Sequence, residues 1–160
     1  MDEKDIRILS AIAKQKTGSP DAIAEVSGIP KSTVHYRIQR LEEKGVITND
    51  LLDVDLDKIG LSITLISEVW AEFKEGYHES VGEKLSEIEG VNQVYFTLGD
   101  TDFVVVSHLS SRQQVERLVE RFEATDEIQR TSSTFVISTV KSESNAVADY
   151  ELETLLDLLL

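Results

Sequence analysis

Between Lys31 and Lys44 the sequence places Ser32, Thr33, Tyr36, Gln39 and Arg40 at spacings that share one side of a helix, with Arg37 on its flank. Hydroxyl, phenol, amide and guanidinium groups on one rigid face can hydrogen-bond base edges and phosphates. An arginine there can take guanine by two bonds or grip a phosphate. Val34, Ile38 and Leu41 fall within about 60° of one another on the opposite side, at 100° per residue, and form the face to be buried. Ser32 and Thr33 also stand near the helix start, where free N–H groups suit a phosphate; ordinary helix-start residues would look the same. Lys31 and His35 lie at the sides, and His35 reads as a packing residue. The competing reading is a solvated face that happens to be basic.

A second constellation is Gly99-Asp100-Thr101-Asp102. Its turn N–H groups can receive a carboxylate while Asp102 attracts an ammonium, the two charges of an α-amino acid. The plainer alternative is that both aspartates only shape a hairpin. Ser133 and Thr134, with Thr131 and Ser132, open the last strand and can line the same cleft, although β-propensity accounts for them equally well. Glu68 and Glu72 could pair for acid/base work, but a solvated acidic strand face is the simpler account. His78 and His108 have no neighbours at metal-ligand spacing. There are no cysteines, which excludes disulfides, thiolate metal sites and cysteine nucleophiles. No nucleophile elbow, phosphate loop or metal motif is present. The expectation is a non-enzyme with no catalytic residue, metal or cofactor.

Charge sharpens this picture. The chain of 160 residues carries a net −14. Residues 1–50 hold eight acids against eight bases, so the whole excess lies in residues 51–160, with 22 acids against eight bases. A neutral reader joined to an acidic body implies two modules. Such acidity suits a salt-rich cytoplasm and a halophilic archaeon, against which the nine lysines weigh. No run reaches membrane-spanning length and the start lacks a signal pattern, so a cytoplasmic protein with no membrane contact is expected.

The elements that must position these groups follow from periodicity. Asp2 caps a first helix with the stripe Ile8, Leu9, Ile12 and Ala13, closed by Lys16-Thr17-Gly18. Ser19-Pro20 starts a second helix, with Ile23, Ala24 and Val26 inward. Gly28 makes the turn, Ile29 plugs it, and the third helix runs from about Lys31 to Lys44. Val46-Ile47-Thr48 and the alternation of Leu52, Val54 and Leu56 with aspartates suggest a strand pair, the wing of a winged helix-turn-helix, or else a linker. A strand from Ile63 to Phe73, a helix through Tyr77, Val81, Leu85 and Ile88, strands 91–98 and 103–108, a helix through Val115, Leu118, Val119 and Phe122, and a strand Ile128–Val140 give βαββαβ. The boundaries are 1–50 for the winged helix-turn-helix, 51–60 for a linker strand, 61–141 for the ferredoxin-like domain and 142–160 for an acidic, Leu-rich helix. The tail stripe Ala148, Leu152, Leu155, Leu156 and Leu159 should pack on the chain's own sheet or join subunits, the latter preferred.

Together, Asp2-x-x-Asp5-x-x-Ile8-Leu9, Ile23-Ala24-Glu25-Val26-Ser27-Gly28-Ile29, Val34-x-Tyr36-Arg37-Ile38-x-Arg40-Leu41-Glu42-x-x-Gly45-Val46-Ile47, the βαββαβ order and Gly99-x-x-Asp102 resemble the Lrp/AsnC (feast/famine) family of prokaryotic transcription regulators over residues 2–141. The resemblance implies an α+β protein that binds double-stranded DNA through its N-terminal domain, forms homodimers or assemblies of dimers, and senses an amino acid through its C-terminal domain. It implies DNA contacts from Ser32, Thr33, Tyr36, Arg37, Gln39 and Arg40, and effector contacts from Gly99, Asp100, Thr101, Asp102, Ser133 and Thr134. Thr101 stands where the family often has an aromatic residue, and the tail is longer and richer in leucine than the family pattern. Two alternatives remain open: an enzyme on the same frame, resembling haem-precursor decarboxylases, and an assembly partner that binds no DNA.

Overall fold

A computed structural model describes residues 1–48, 54–72 and 74–160. The chain divides into two units, Met1–Asp53 with Val140–Leu160, and Val54–Thr139.

In the first unit, α1 (Glu3–Gln15) begins at Asp2 with a reciprocal cap. The Asp5 N–H donates to Asp2 Oδ1 at 3.1 Å and the Asp2 N–H donates to Asp5 Oδ2 at 3.0 Å, which satisfies two donors the helix start would leave bare. The helix closes two residues earlier than its glycine suggests: Lys16, not Gly18, takes the left-handed conformation, with φ 51°. Next, α2 (Pro20–Ser27) starts from extended Ser19 without a side-chain cap bond, and Gly28 (φ 69°) ends it by donating its N–H to the Ala24 carbonyl. The third helix, α3 (Lys31–Glu43), buries Val34, Ile38 and Leu41, as its periodicity requires. Ile8 and Ala11 of α1, Ile23 of α2, Ile29 of the turn and Val34 and Ile38 of α3 make one apolar core.

An ion pair fixes α3 against the start of α1. Arg37 Nη1 donates to Asp2 Oδ1 at 2.6 Å, Asp2 Oδ2 at 2.8 Å and Asp5 Oδ1 at 2.7 Å. The carboxylates that cap α1 therefore also receive the guanidinium of α3.

The expected wing strands do not form among the described residues. Val46–Thr48 bends back on α3, its Val46 and Ile47 N–H groups donating to the Leu41 carbonyl. Residues 56–60 are a turn, because the Asp55 carboxylate accepts the Lys58 N–H at 3.1 Å and so competes with extended pairing. The rest of that expected strand, including Leu52, lies outside the described residues.

The C-terminal segment belongs to this first unit. A 3-10 turn (Ala146–Asp149) and α6 (Leu152–Leu159) pack on α1, and Leu155 is 5% exposed. This position is neither of those expected from the leucine stripe. Ile6, Ser10 and Ala13 form a second buried stripe of α1, its centre about 160° from that of Ile8 and Ala11, so the helix is buried on two sides. Ion pairs Lys16–Glu143 (3.5 Å) and Lys14–Glu151 (3.9 Å) accompany the packing.

The second unit is an antiparallel sheet with two helices. Its strands are β1 (Ile63–Ala71), β2 (Val91–Phe96), β3 (Phe103–Leu109) and β4 (Ile128–Phe135), in the order β2-β3-β1-β4, with α4 (Tyr77–Ser86) and α5 (Arg112–Glu123) between. This is the ferredoxin-like arrangement. Leu65 and Val69 of β1 and Phe103, Val105 and Leu109 of β3 alternate toward Val81 and Leu85 of α4 and Leu118 and Phe122 of α5. Gly90 takes a left-handed conformation (φ 90°) that side chains rarely adopt, and a Cβ there would crowd the buried Leu109 side chain. The last strand ends at Phe135 rather than Val140, because its partner runs out: the Val136 N–H donates to the Thr64 carbonyl, one residue from the start of β1. Phe73 lies outside the described residues. Among those described, no helix is long and apolar enough to cross a membrane.

The clamp has a pH signature. The Arg37 guanidinium, and then the Asp5 N–H, hold the Asp2 carboxyl below its ordinary value of 3.8. Its contribution is complete above the unfolded value and is lost as pH falls through the lower, folded one. The N-terminal unit should therefore loosen below about pH 4, and Asp2→Asn should remove that component and lower the melting temperature at neutral pH. Superimposable acid titrations of wild type and Asp2→Asn by circular dichroism would contradict this role.

Candidate functional site

On α3 the structure separates the two arginines. Tyr36 is 58% exposed, and Ser32, Gln39 and Arg40 are exposed beside half-buried Thr33. The Arg40 guanidinium lies 5.8 Å from the centre of the Tyr36 ring, one turn away, within cation–π reach. Among the described residues no carboxylate pairs with it. Arg37 differs, with its side chain 18% exposed and its Nη1 surrounded by Asp2 and Asp5. The two carboxylates raise its already high pKa, so its charge is permanent. Sequence spacing put Arg37 at the flank of the reading face; the distant Asp-x-x-Asp that holds it was visible only as a helix cap. Lys31 pairs with Asp21 of α2 at 2.8 Å and joins the two helices. A preformed surface of phenol, amide, hydroxyl and one uncommitted guanidinium is thus presented by a helix whose other face is locked in the core.

The hairpin between β2 and β3 is closed by its own polar groups. The Asp102 carboxylate accepts the Ala71 N–H at 2.9 Å through Oδ2 and the Tyr77 hydroxyl at 3.1 Å through Oδ1, linking the end of β1 to the start of α4. Burial and this bond both push the Tyr77 phenol upward, burial more. The Asp102 N–H donates to the Val69 carbonyl and the Thr97 N–H to the Asp102 carbonyl. Thr101 turns its hydroxyl to the Val69 and Phe103 carbonyls. The N–H groups of Gly99, Asp100 and Thr101 have no acceptor among the described residues.

Sheet register determines what stands near this turn. Val69 pairs with Phe103 and Thr131, and Trp70 with Arg130. The Trp70 Nε1–H donates to the Asp100 carbonyl, and the Arg130 guanidinium lies 3.7 Å from the centre of the Trp70 ring. Trp70, Tyr77 and Arg130 are therefore the side chains gathered about the hairpin, and sequence reading did not select them. The signal available was the position of Trp70 at the end of a long strand. Ser133 and Thr134 are placed elsewhere: Ser133 Oγ pairs with buried Ser67 Oγ at 2.7 Å, and Thr134 is opposite Ile66. Both are farther along β4, with β1 between them and β3. His108 Nδ1 is 2.6 Å from Asn92 Oδ1, and Glu72 pairs with Lys74, which gives each a structural partner.

Comparison with known proteins agrees with this division. Residues 1–48 match the model of a winged helix-turn-helix DNA-binding domain, and residues 68–146 match that of the Lrp/AsnC ligand binding domain. An uncharacterized HTH-type transcriptional regulator of Pyrococcus abyssi is 27% identical over 150 residues, covering 89% of this chain and 96% of that protein. The HTH-type transcriptional regulator FL11 of the same organism is 27% identical over 141 residues, covering 88% and 92%. Among solved structures, an AsnC family regulator from Agrobacterium tumefaciens has a TM-score of 0.84 at 24% identity, covering all of both chains. A regulator from Neisseria meningitidis, solved as a complex with L-Met, has a TM-score of 0.82 at 16% identity, covering 91% and 95%. With a helix-turn-helix in the first unit, a ferredoxin-like domain in the second, and both family models matched in sequence, the chain belongs to the Lrp/AsnC family and is a sequence-specific DNA-binding regulator of transcription.

Proposed function

We propose that Ser32, Thr33, Tyr36, Gln39 and Arg40 make the contacts to DNA, and that Arg37 positions the helix rather than reading bases. The commitment of Arg37 to two carboxylates, against the free guanidinium of Arg40, carries this reading. Arg40→Ala should cost about 1–3 kcal/mol of DNA affinity and relax one base position, with an unchanged melting temperature. Arg37→Ala should lower the melting temperature, and its loss of binding in a gel shift should follow the loss of folded protein. A stable Arg37→Ala variant with abolished binding would make Arg37 a reader.

We infer that the β2–β3 hairpin receives an amino acid. The unpaired N–H groups of Gly99, Asp100 and Thr101 suit a carboxylate, and the Asp100 side chain has no ion-pair partner among the described residues for an ammonium. The L-Met bound by the Neisseria regulator gives the class of ligand. Asp102 serves the fold: Asn there offers one acceptor to two donors, the Ala71 N–H and the Tyr77 hydroxyl. Asp102→Asn should lower the melting temperature while a response to the effector survives, and Asp100→Asn should weaken that response. Calorimetric titration with each of the common amino acids is the measurement; no heat with any of them removes the effector reading.

The second units are proposed to pair as a homodimer through the sheet face that the helices leave open. Ile66 is 40% exposed there, beside Val104, Val106 and Trp70, all only half-buried. An apolar sheet face of this kind is costly in water and suits a partner sheet. Light scattering should give a dimer for the wild type and a monomer for Ile66→Asp; a monomeric wild type at micromolar concentration would refute the pairing. A cytoplasmic regulator, with an acidic body adapted to a salt-rich interior, fits the charge distribution.

A further inference from the structure

The C-terminal segment brings five acids, Glu143, Asp149, Glu151, Glu153 and Asp157, against the single Lys141 into the unit that binds DNA. Residues 1–53 hold nine acids and eight bases, so the segment moves that unit from nearly neutral to strongly negative. Two of its carboxylates meet lysines of α1 and its C-cap: Glu151 lies 3.9 Å from Lys14 and Glu143 lies 3.5 Å from Lys16. Glu143 is the better placed, with its side chain only 18% exposed. Both lysines adjoin the start of α2, which follows at Ser19-Pro20. In a helix-turn-helix the helix before the recognition helix crosses the DNA backbone, so lysines at this end are in position for phosphate.

We infer that Glu143 and Glu151 are specificity-determining residues: they hold Lys14 and Lys16 off the phosphates, which lowers sequence-independent affinity and leaves discrimination to α3. Phosphate contacts carry no sequence information and dominate non-specific binding. Removing two of them raises the ratio of specific to non-specific binding without touching a base-reading residue. The carboxylates stay in place because Leu155 is buried and α6 rests on α1, so the attachment does not depend on the ion pairs.

The test uses the full chain and a 24-base-pair duplex of mixed sequence, with binding followed by fluorescence anisotropy across a KCl series. Glu143→Gln/Glu151→Gln should bind this duplex more tightly and steepen the plot of log K against log salt by about 0.9 for each lysine that gains a phosphate. Glu153→Gln/Asp157→Asn changes the tail charge equally but touches neither lysine, and should leave the slope unchanged. Adding Lys14→Gln/Lys16→Gln to the first variant should restore the wild-type slope. An unchanged slope in the first variant, equal steepening in the second, or failure of the lysine substitutions to restore it overturns the inference. Should the first variant lose its cooperative melt, Lys14→Gln/Lys16→Gln alone decides: unchanged non-specific affinity supports the inference, and weakened affinity shows that the lysines already touch phosphate.

Discussion

The N-terminal unit depends on one guanidinium. Arg37 receives both carboxylates of the α1 cap, so three separate requirements converge on the same atoms. The helix start needs acceptors for its bare N–H groups, α3 needs an anchor outside the apolar core, and the two acids need a cation to reduce their mutual repulsion. The exchange joins two largely sheltered side chains, Arg37 and Asp5, to the more open Asp2, so it contributes orientation as well as energy. It sets the rotation of α3 about its own axis while Val34, Ile38 and Leu41 set its depth. A reading helix needs both, because a base edge is recognised over fractions of an ångström.

What could be read in advance follows from how local the cause is. The three helices, the Gly28 turn and the inward face of α3 follow from a 3.6-residue period and local stop signals, whereas Ser19 makes no cap bond and Val26, expected inward on α2, is 54% exposed. The βαββαβ order was equally legible, because alternation and glycine stops mark each element. The overlong β4 shows the limit: Val136 to Val140 have the composition of a strand, but only the length of β1 decides how far they can pair. The same holds for Asp55, whose side chain turns a segment that alternation reads as extended. The role of Arg37 was hidden for a related reason, since its partners stand 35 and 32 residues away.

The hairpin illustrates a division of labour that composition conceals. Gly99 to Asp102 reads as one polar cluster, yet its four residues do different things. Asp102 and Thr101 are consumed in tying β1, α4 and the turn together. The backbone N–H groups ahead of them remain bare. The side-chain bonds of Asp102 and Thr101 hold the turn that carries these bare amides. Trp70 adds to this by reaching from β1 to the Asp100 carbonyl, under the guanidinium of Arg130.

The placement of α6 on α1 also imposes an order of events during synthesis. The DNA-binding unit is assembled from the two ends of the chain, whereas the ferredoxin-like unit is continuous from Val54 to Thr139. On the ribosome the helix-turn-helix precedes the ferredoxin-like unit, but α6, which packs on α1, follows both. The continuous unit can close its core in the interval. The unit that reads DNA thus begins before the ferredoxin-like unit and is completed after it.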